Sequence, residues 1–117
     1  MDEDRCCFSR DERLRKRAEF LKVYRLGEKF RGRYFFLYFL RNDLPCSRLG
    51  ITVTRKLGKT VKRNLIKRRL REIYRKNKQV VLPPCDLVIN VTHSAVGASY
   101  QELERDFLGT VSQWARE

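Results

Sequence analysis

The chain has 117 residues, 42% of them hydrophobic, enough for one domain with a modest core that needs no metal or disulfide to hold it. Its 27 Lys+Arg against 14 Asp+Glu leave a net charge of +13, an excess that repels itself unless a polyanion neutralises it. The hydrophobic share excludes compositional disorder, and no run approaches the roughly 18–20 consecutive apolar residues of a membrane span.

The charge is unevenly placed. Residues 1–77 hold 24 basic and 9 acidic residues, whereas residues 78–117 hold 3 and 5. A polyanion-binding surface is therefore expected from the first two thirds of the chain. The opening MDEDRCCFSR is acidic and lacks the apolar run of a secretory signal, so we expect a cytoplasmic protein. Cys6, Cys7, Cys46 and Cys85 form no CxxC pair and no zinc spacing with the sole histidine, His93, and read as reduced thiols. With no second histidine beside it, His93 reads as structural.

In chain order, residues 1–13 are polar and expected to be poorly ordered. Residues 17–26 (RAEFLKVYRL) predict a helix, with Phe20, Val23 and Tyr24 at helical spacing and Gly27 as its C-cap. Residues 33–41 (RYFFLYFLR) predict an aromatic strand and residues 48–54 (RLGITVT) a second; the Asn42-Asp43-Leu44-Pro45 turn between them predicts an antiparallel hairpin. A long basic helix follows over 59–77. Pro83-Pro84 stops the chain before a strand over 86–92. Ser99 and Glu102 form a capping box that opens a last helix, with Tyr100, Leu103, Phe107, Val111 and Trp114 on one face. The order α-β-β-α-β-α predicts an α/β (α+β) two-layer sandwich of one sheet and packed helices.

Alternation assigns faces. In the second strand Leu49, Ile51 and Val53 face the core, and Gly50, Thr52 and Thr54 the other side. In the first, Phe35, Leu37 and Phe39 alternate with Tyr34, Phe36, Tyr38 and Leu40; the tyrosine-bearing set is expected to share the open face with Thr52. An open sheet face with aromatics suits unstacked nucleotides, because every base offers a π-face. Packing beneath helix 17–26 would account for the same aromatics, although the Tyr38 hydroxyl asks for water or a partner.

Within the basic helix, 100° per residue gathers Leu65, Ile66, Leu70, Ile73 and Tyr74 on one side and Asn64, Lys67, Arg68, Arg71 and Arg75 opposite. Residues 59–76 hold nine basic residues and the single acid Glu72. A solvated face normally mixes signs to gain i,i+4 pairs; this one asks for phosphates. No paired carboxylates, Ser/His/Asp set or glycine-rich phosphate loop is present. Gly58-Lys59-Thr60 resembles the end of a P-loop, but Val53 stands where its first glycine is required. No catalytic residue is expected.

The run Arg48-Leu49-Gly50-Ile51-Thr52-Val53-Thr54-Arg55-Lys56-Leu57-Gly58, with Thr60-Val61-Lys62-Arg63-Asn64-Leu65-Ile66-Lys67-Arg68 and Leu70-Arg71-Glu72, resembles the signature of the bacterial ribonuclease P protein subunit. Glu19-Phe20-Leu21-Lys22-Val23-Tyr24 and Phe35-Phe36-Leu37-Tyr38 match in order and spacing. The chain departs from the family's Arg-Asn-Arg motif at Leu65, which leaves neighbouring Lys62 or Arg69 to supply that charge.

The resemblance implies a mixed sheet of about four strands with a left-handed β-α-β crossover, against the usual handedness. It implies a catalytic RNA subunit that cleaves with Mg2+, a basic helix that contacts that RNA, and a cleft for the single-stranded 5′ leader of precursor tRNA. Carried over, the RNA-subunit face is Arg55, Lys56, Lys59, Lys62, Arg63, Asn64, Lys67, Arg68 and Arg71. The leader cleft is Phe20, Tyr24, Phe36, Tyr38 and Thr52. Mg2+ falls to the RNA subunit and the substrate, and no obligate protein partner is evident. A ribosomal-type RNA binder would explain the charge but not the aromatic, threonine-bearing face. A helix-turn-helix factor needs a helix, not a strand, just before residue 59, and a protein-only nuclease lacks an acidic metal site.

Overall fold

The computed structural model describes residues 13–54, 56 and 58–115. The elements are α1 (Arg17–Leu26), β1 (Glu28–Arg31), β2 (Phe35–Arg41), β3 (Arg48–Val53), α2 (Thr60–Lys76), β4 (Cys85–Val91) and α3 (Tyr100–Ala115). They form an α+β fold around one mixed four-stranded sheet in the order β1-β2-β4-β3. Among the described residues no helix is long and apolar enough to cross a membrane.

The expected hairpin between β2 and β3 does not form. β4 lies between them, antiparallel to β2 and parallel to β3. The physical reason is in the β4 sequence, CDLVINV, which is buried at every position except Asn90. A strand buried on both faces, with its one buried charge Asp86 held by Arg48, belongs in the middle of a sheet, whereas the alternating β2 and β3 can each leave one face partly open. β1, a short charged strand (EKFR) paired with β2, carries no apolar alternation and escaped the sequence reading.

One face of the sheet carries the main core. Phe35, Leu37, Phe39, Leu49, Leu87 and Ile89 meet Ile66, Leu70, Ile73 and Tyr74 of α2 and Leu103, Phe107, Val111 and Trp114 of α3. Each fully buried large side chain contributes about 1.5–3 kcal/mol. The capping box is present: Ser99 N–H donates to Glu102 Oε1 at 2.8 Å and Glu102 N–H to Ser99 Oγ at 3.1 Å. Gly27 caps α1, its N–H bonded to the Val23 carbonyl.

On the other face, α1 packs Val23 against Leu14 and Val88, with Phe20, Tyr24, Tyr38 and Leu40 around them. A polar clamp fixes α1 there. Arg48 donates to both carboxylate oxygens of Asp86 (2.9 and 2.7 Å) and to Glu19 Oε2 (3.2 Å), so β3, β4 and α1 are tied together. Glu19 Oε1 also accepts the N–H groups of Arg15 and Lys16 before the helix start.

Candidate nucleic-acid interface

α1 covers only part of its sheet face. The strand registers place Thr52 of β3 beside Asn90 of β4 and Asn90 beside Phe36 of β2; the adjoining row on this face is Gly50, Val88 and Tyr38. Above the first row lies an open hollow of about 480 Å3 lined by Tyr24, Phe36, Tyr38, Thr52, Thr54 and Asn90, with the strand end Val91-Thr92. Its floor is sheet and its wall is Tyr24. The Tyr24 hydroxyl donates to Asn90 Oδ1 at 2.7 Å and lies 3.3 Å from Thr52 Oγ1, and its ring meets Tyr38 edge-on with centroids 4.9 Å apart.

Four of the five residues assigned to a cleft from sequence therefore converge. Phe20 stands apart from them. It is half-buried and seated over Gly50, where a Cβ would come within 2.6 Å of its Cζ, so it supports α1 and does not line the hollow. Asn90 was missed; the signal for it is one amide in the otherwise apolar LVINV.

β3 runs directly from this hollow into α2, because Val53 and Thr60 are separated by six residues. Gly58 in that connection has φ +122°, a conformation open to glycine. The first turn of α2 has no acid, and no side chain caps its N-terminus at Lys59. Its free N–H groups and positive dipole end favour an anion. Lys56, Lys59, Lys62, Asn64, Arg68 and Arg71 are exposed, and Arg63 and Lys67 are half-buried. Arg63 donates through Nη2 to Thr60 Oγ1, while its buried Nε has no partner among the described residues. Arg55 lies outside the described residues.

Two details of this helix differ from the sequence reading. Leu65 is 40% exposed, so it sits on the basic side and not with the core stripe. Arg69 is half-buried and directed at the Ala98 carbonyl (3.3 Å), which leaves Lys62 as the exposed cation beside Leu65. The chain at Arg13 bridges to Leu49 in parallel, and Arg13, Arg15 and Arg71 line one hollow at the edge of β3. Burial and the Arg13 charge push the Arg71 guanidinium below its usual range, the direction that desolvation and a nearby like charge impose on a cation. Cys85 plays no reactive part: burial pushes its thiol up to about 12, so it stays protonated.

A strongly basic chain with a one-signed helix face and an aromatic hollow on a sheet has the features of an RNA-binding protein. The family model for ribonuclease P matches residues 8–114, and the chain belongs to that family: it is a ribonuclease P protein component, of a nuclease that acts in tRNA processing. It is 33% identical over 107 residues to the ribonuclease P protein component of Clostridioides difficile (strain 630), covering 91% of this chain and 94% of that one. It is 48% identical over 82 residues to that of Thermotoga sp. (strain RQ2), 70% of each chain. The fold matches the RNase P protein from Thermotoga maritima with a TM-score of 0.80 at 34% identity, covering 87% of this chain and 96% of that one. It matches the Staphylococcus aureus RNase P protein with a TM-score of 0.80 at 29% identity, covering 86% and 93%.

Proposed function

We propose that this chain binds the catalytic RNA subunit of ribonuclease P through α2 and holds the 5′ leader of precursor tRNA in the hollow under α1. In this role it assists Mg2+-dependent endonucleolytic removal of the leader in the cytoplasm, and the RNA subunit carries the chemistry. The observation that carries the reading is the convergence of Tyr24, Phe36, Tyr38 and Thr52 on one hollow, next in the chain to a helix face with one sign of charge. Aromatic rings and hydroxyls receive unpaired bases without regard to sequence, which suits an enzyme serving many precursors. The basic helix takes phosphates of a structured RNA.

The side chains described do not fit a Mg2+ site of the protein's own. Among the described residues no three acids, histidines or cysteines converge. Asp86 and Glu19 are held by Arg48, and Asp106 accepts the N–H groups of Arg33 and Tyr34. The metal ions in this reading are held by the RNA subunit and substrate. No second protein is required.

Reconstitution tests the proposal. Added to a ribonuclease P RNA at a Mg2+ concentration too low for the RNA alone, the protein should restore cleavage of precursor tRNA at the 5′ end of the mature sequence. Unchanged cleavage across a Mg2+ titration would refute it.

A further inference from the structure

The row that floors the hollow does not end at β2. β1 continues it, because Arg31 pairs with Phe36 and Lys29 with Tyr38. Partners in an antiparallel pair point to the same face, so both cations of β1 stand on the face that carries the hollow, while Glu28 and Phe30 face the other way. The Phe36 ring is engaged by both cations: Lys29 Nζ lies 4.4 Å from its centroid and Arg31 Cζ 5.6 Å, with Lys29 also 5.8 Å from Tyr38. Both residues are exposed, and among the described residues no carboxylate pairs with either. The strand that carries them is held firmly. Phe30 packs edge-on against Phe39, Phe39 stacks on Trp114, and Asp106 of α3 fastens the turn after β1.

We propose that Lys29 and Arg31 are the outer phosphate-binding rim of the leader cleft. Single-stranded RNA then crosses the sheet from Thr52 and Asn90, over Phe36, to the free edge at β1. This rests on the leader reading above and extends it to residues which that reading leaves out. The direction follows from the chain. The Thr52 end adjoins the start of α2, the helix assigned to the RNA subunit, so the part of the leader nearest the cleavage site lies there and the distal part reaches β1. Three inter-strand steps span roughly 14 Å. The floor of the hollow takes two of those steps, so the rim lies one step, roughly 5 Å, beyond Phe36 and is met by leaders about one to two nucleotides longer than those that fill the hollow, at about 3.4 Å per nucleotide. A base laid on Phe36 brings its phosphate to cations already poised at that ring, and they exchange a cation–π contact for a charge-assisted one.

The alternative role for charged residues on a free edge strand is to block edge-to-edge pairing of sheets. The two roles separate in holoenzyme reconstituted with the RNA subunit, using tRNA without a leader and precursors with leaders of increasing length. For the unsubstituted protein, affinity should rise in two steps with leader length. Tyr38→Ala should remove the first step. Lys29→Gln/Arg31→Gln should remove only the second, and should make the salt dependence for long leaders shallower by about 0.7 per cation in log–log slope. Loss of the first step on Tyr38→Ala, with no effect of the Gln pair at any length, would overturn the rim and leave the cleft standing. Equal losses on the Gln pair for mature tRNA and every precursor would also overturn it, by placing these cations on the tRNA body or the RNA subunit. If Tyr38→Ala changes nothing at any length, the leader reading itself fails and the rim with it.

Discussion

The Tyr24 hydroxyl donates a 2.7 Å hydrogen bond to Asn90 Oδ1, which joins the helical wall of the cleft to its sheet floor. The ring and the hydroxyl of Tyr24 therefore have separable roles. Tyr24→Phe keeps the ring but leaves a half-buried amide oxygen unpaired, and it should lower stability in urea denaturation by about 1 kcal/mol with leader affinity largely kept. Tyr24→Ala also loses the ring, and should weaken leader binding by roughly 1–3 kcal/mol. Equal leader affinities for the two variants would show that the ring does not stack on RNA.

Arg48 is the second connection between α1 and the sheet. Asp86 is 5% exposed, so Arg48→Ala strands a buried carboxylate and should cost roughly 3 kcal/mol or more, read from the urea midpoint. The clamp also predicts an acid limb. Burial pushes Glu19 up, but the backbone N–H groups of Lys16 and Arg15 and the Arg48 charge outweigh it, so its pKa lies below the ordinary 4.5. A depressed carboxylate contributes stability that is present above the unfolded-state value and is lost as pH falls through the folded one. Glu19→Gln should therefore lower stability at neutral pH, where the ionised carboxylate contributes, and flatten the further loss below about pH 4.5, so that variant and parent converge in acid. An unaltered acid limb would show that Glu19 is not held by the clamp.

The two sides of α2 should separate folding from binding. Leu70 is 1% exposed, and Leu70→Ala should lower stability by roughly 2–5 kcal/mol through lost burial and a cavity. Arg68→Ala and Leu65→Ala, both at exposed positions, should stay within about 0.5 kcal/mol of the parent. Arg68→Ala should still weaken association with the RNA subunit. Thermal melting and RNA titration of the same three variants check this, and an early melt of Leu65→Ala would return Leu65 to the core.

Much of this was legible in the sequence because local signals were strong. Helix 17–26, the Ser99–Glu102 box and the β2 alternation each follow from periodicity or capping chemistry, and the first and last of these bring Tyr24, Phe36 and Tyr38 to one hollow. Strand pairing was not legible from adjacent segments. Asn42 to Pro45 looks like a hairpin turn, yet the partner of both flanking strands is the distant CDLVINV, whose double-sided burial outweighs proximity in sequence. Leu65 was misplaced on its apolar character: at 100° per residue it stands a full step from Ile66, on the side away from Leu70 and Tyr74, and that flank is exposed. The clamp of Arg48, Asp86 and Glu19 and the separate Tyr24–Asn90 hydrogen bond join residues far apart in the chain, where no spacing rule applies.

Binding to the RNA subunit should be dominated by phosphates. Several cations of α2 face solvent with one sign, so log affinity should fall linearly and steeply with log salt, by about 0.9 per phosphate neutralised on a duplex. Filter binding or fluorescence titration over a salt series measures the slope, and an affinity that is flat from low to moderate salt would exclude this mode.

The most direct test is the ratio of holoenzyme affinities for precursor and mature tRNA, measured for the parent protein and for Tyr38→Ala. Both ligands present the same tRNA body, so general charge effects cancel in the ratio. If the hollow under α1 holds the leader, Tyr38→Ala lowers precursor affinity and leaves mature tRNA nearly unchanged, which brings the ratio towards one. If both affinities fall equally and the ratio stays at the parent value, the hollow does not hold the leader and the account is contradicted.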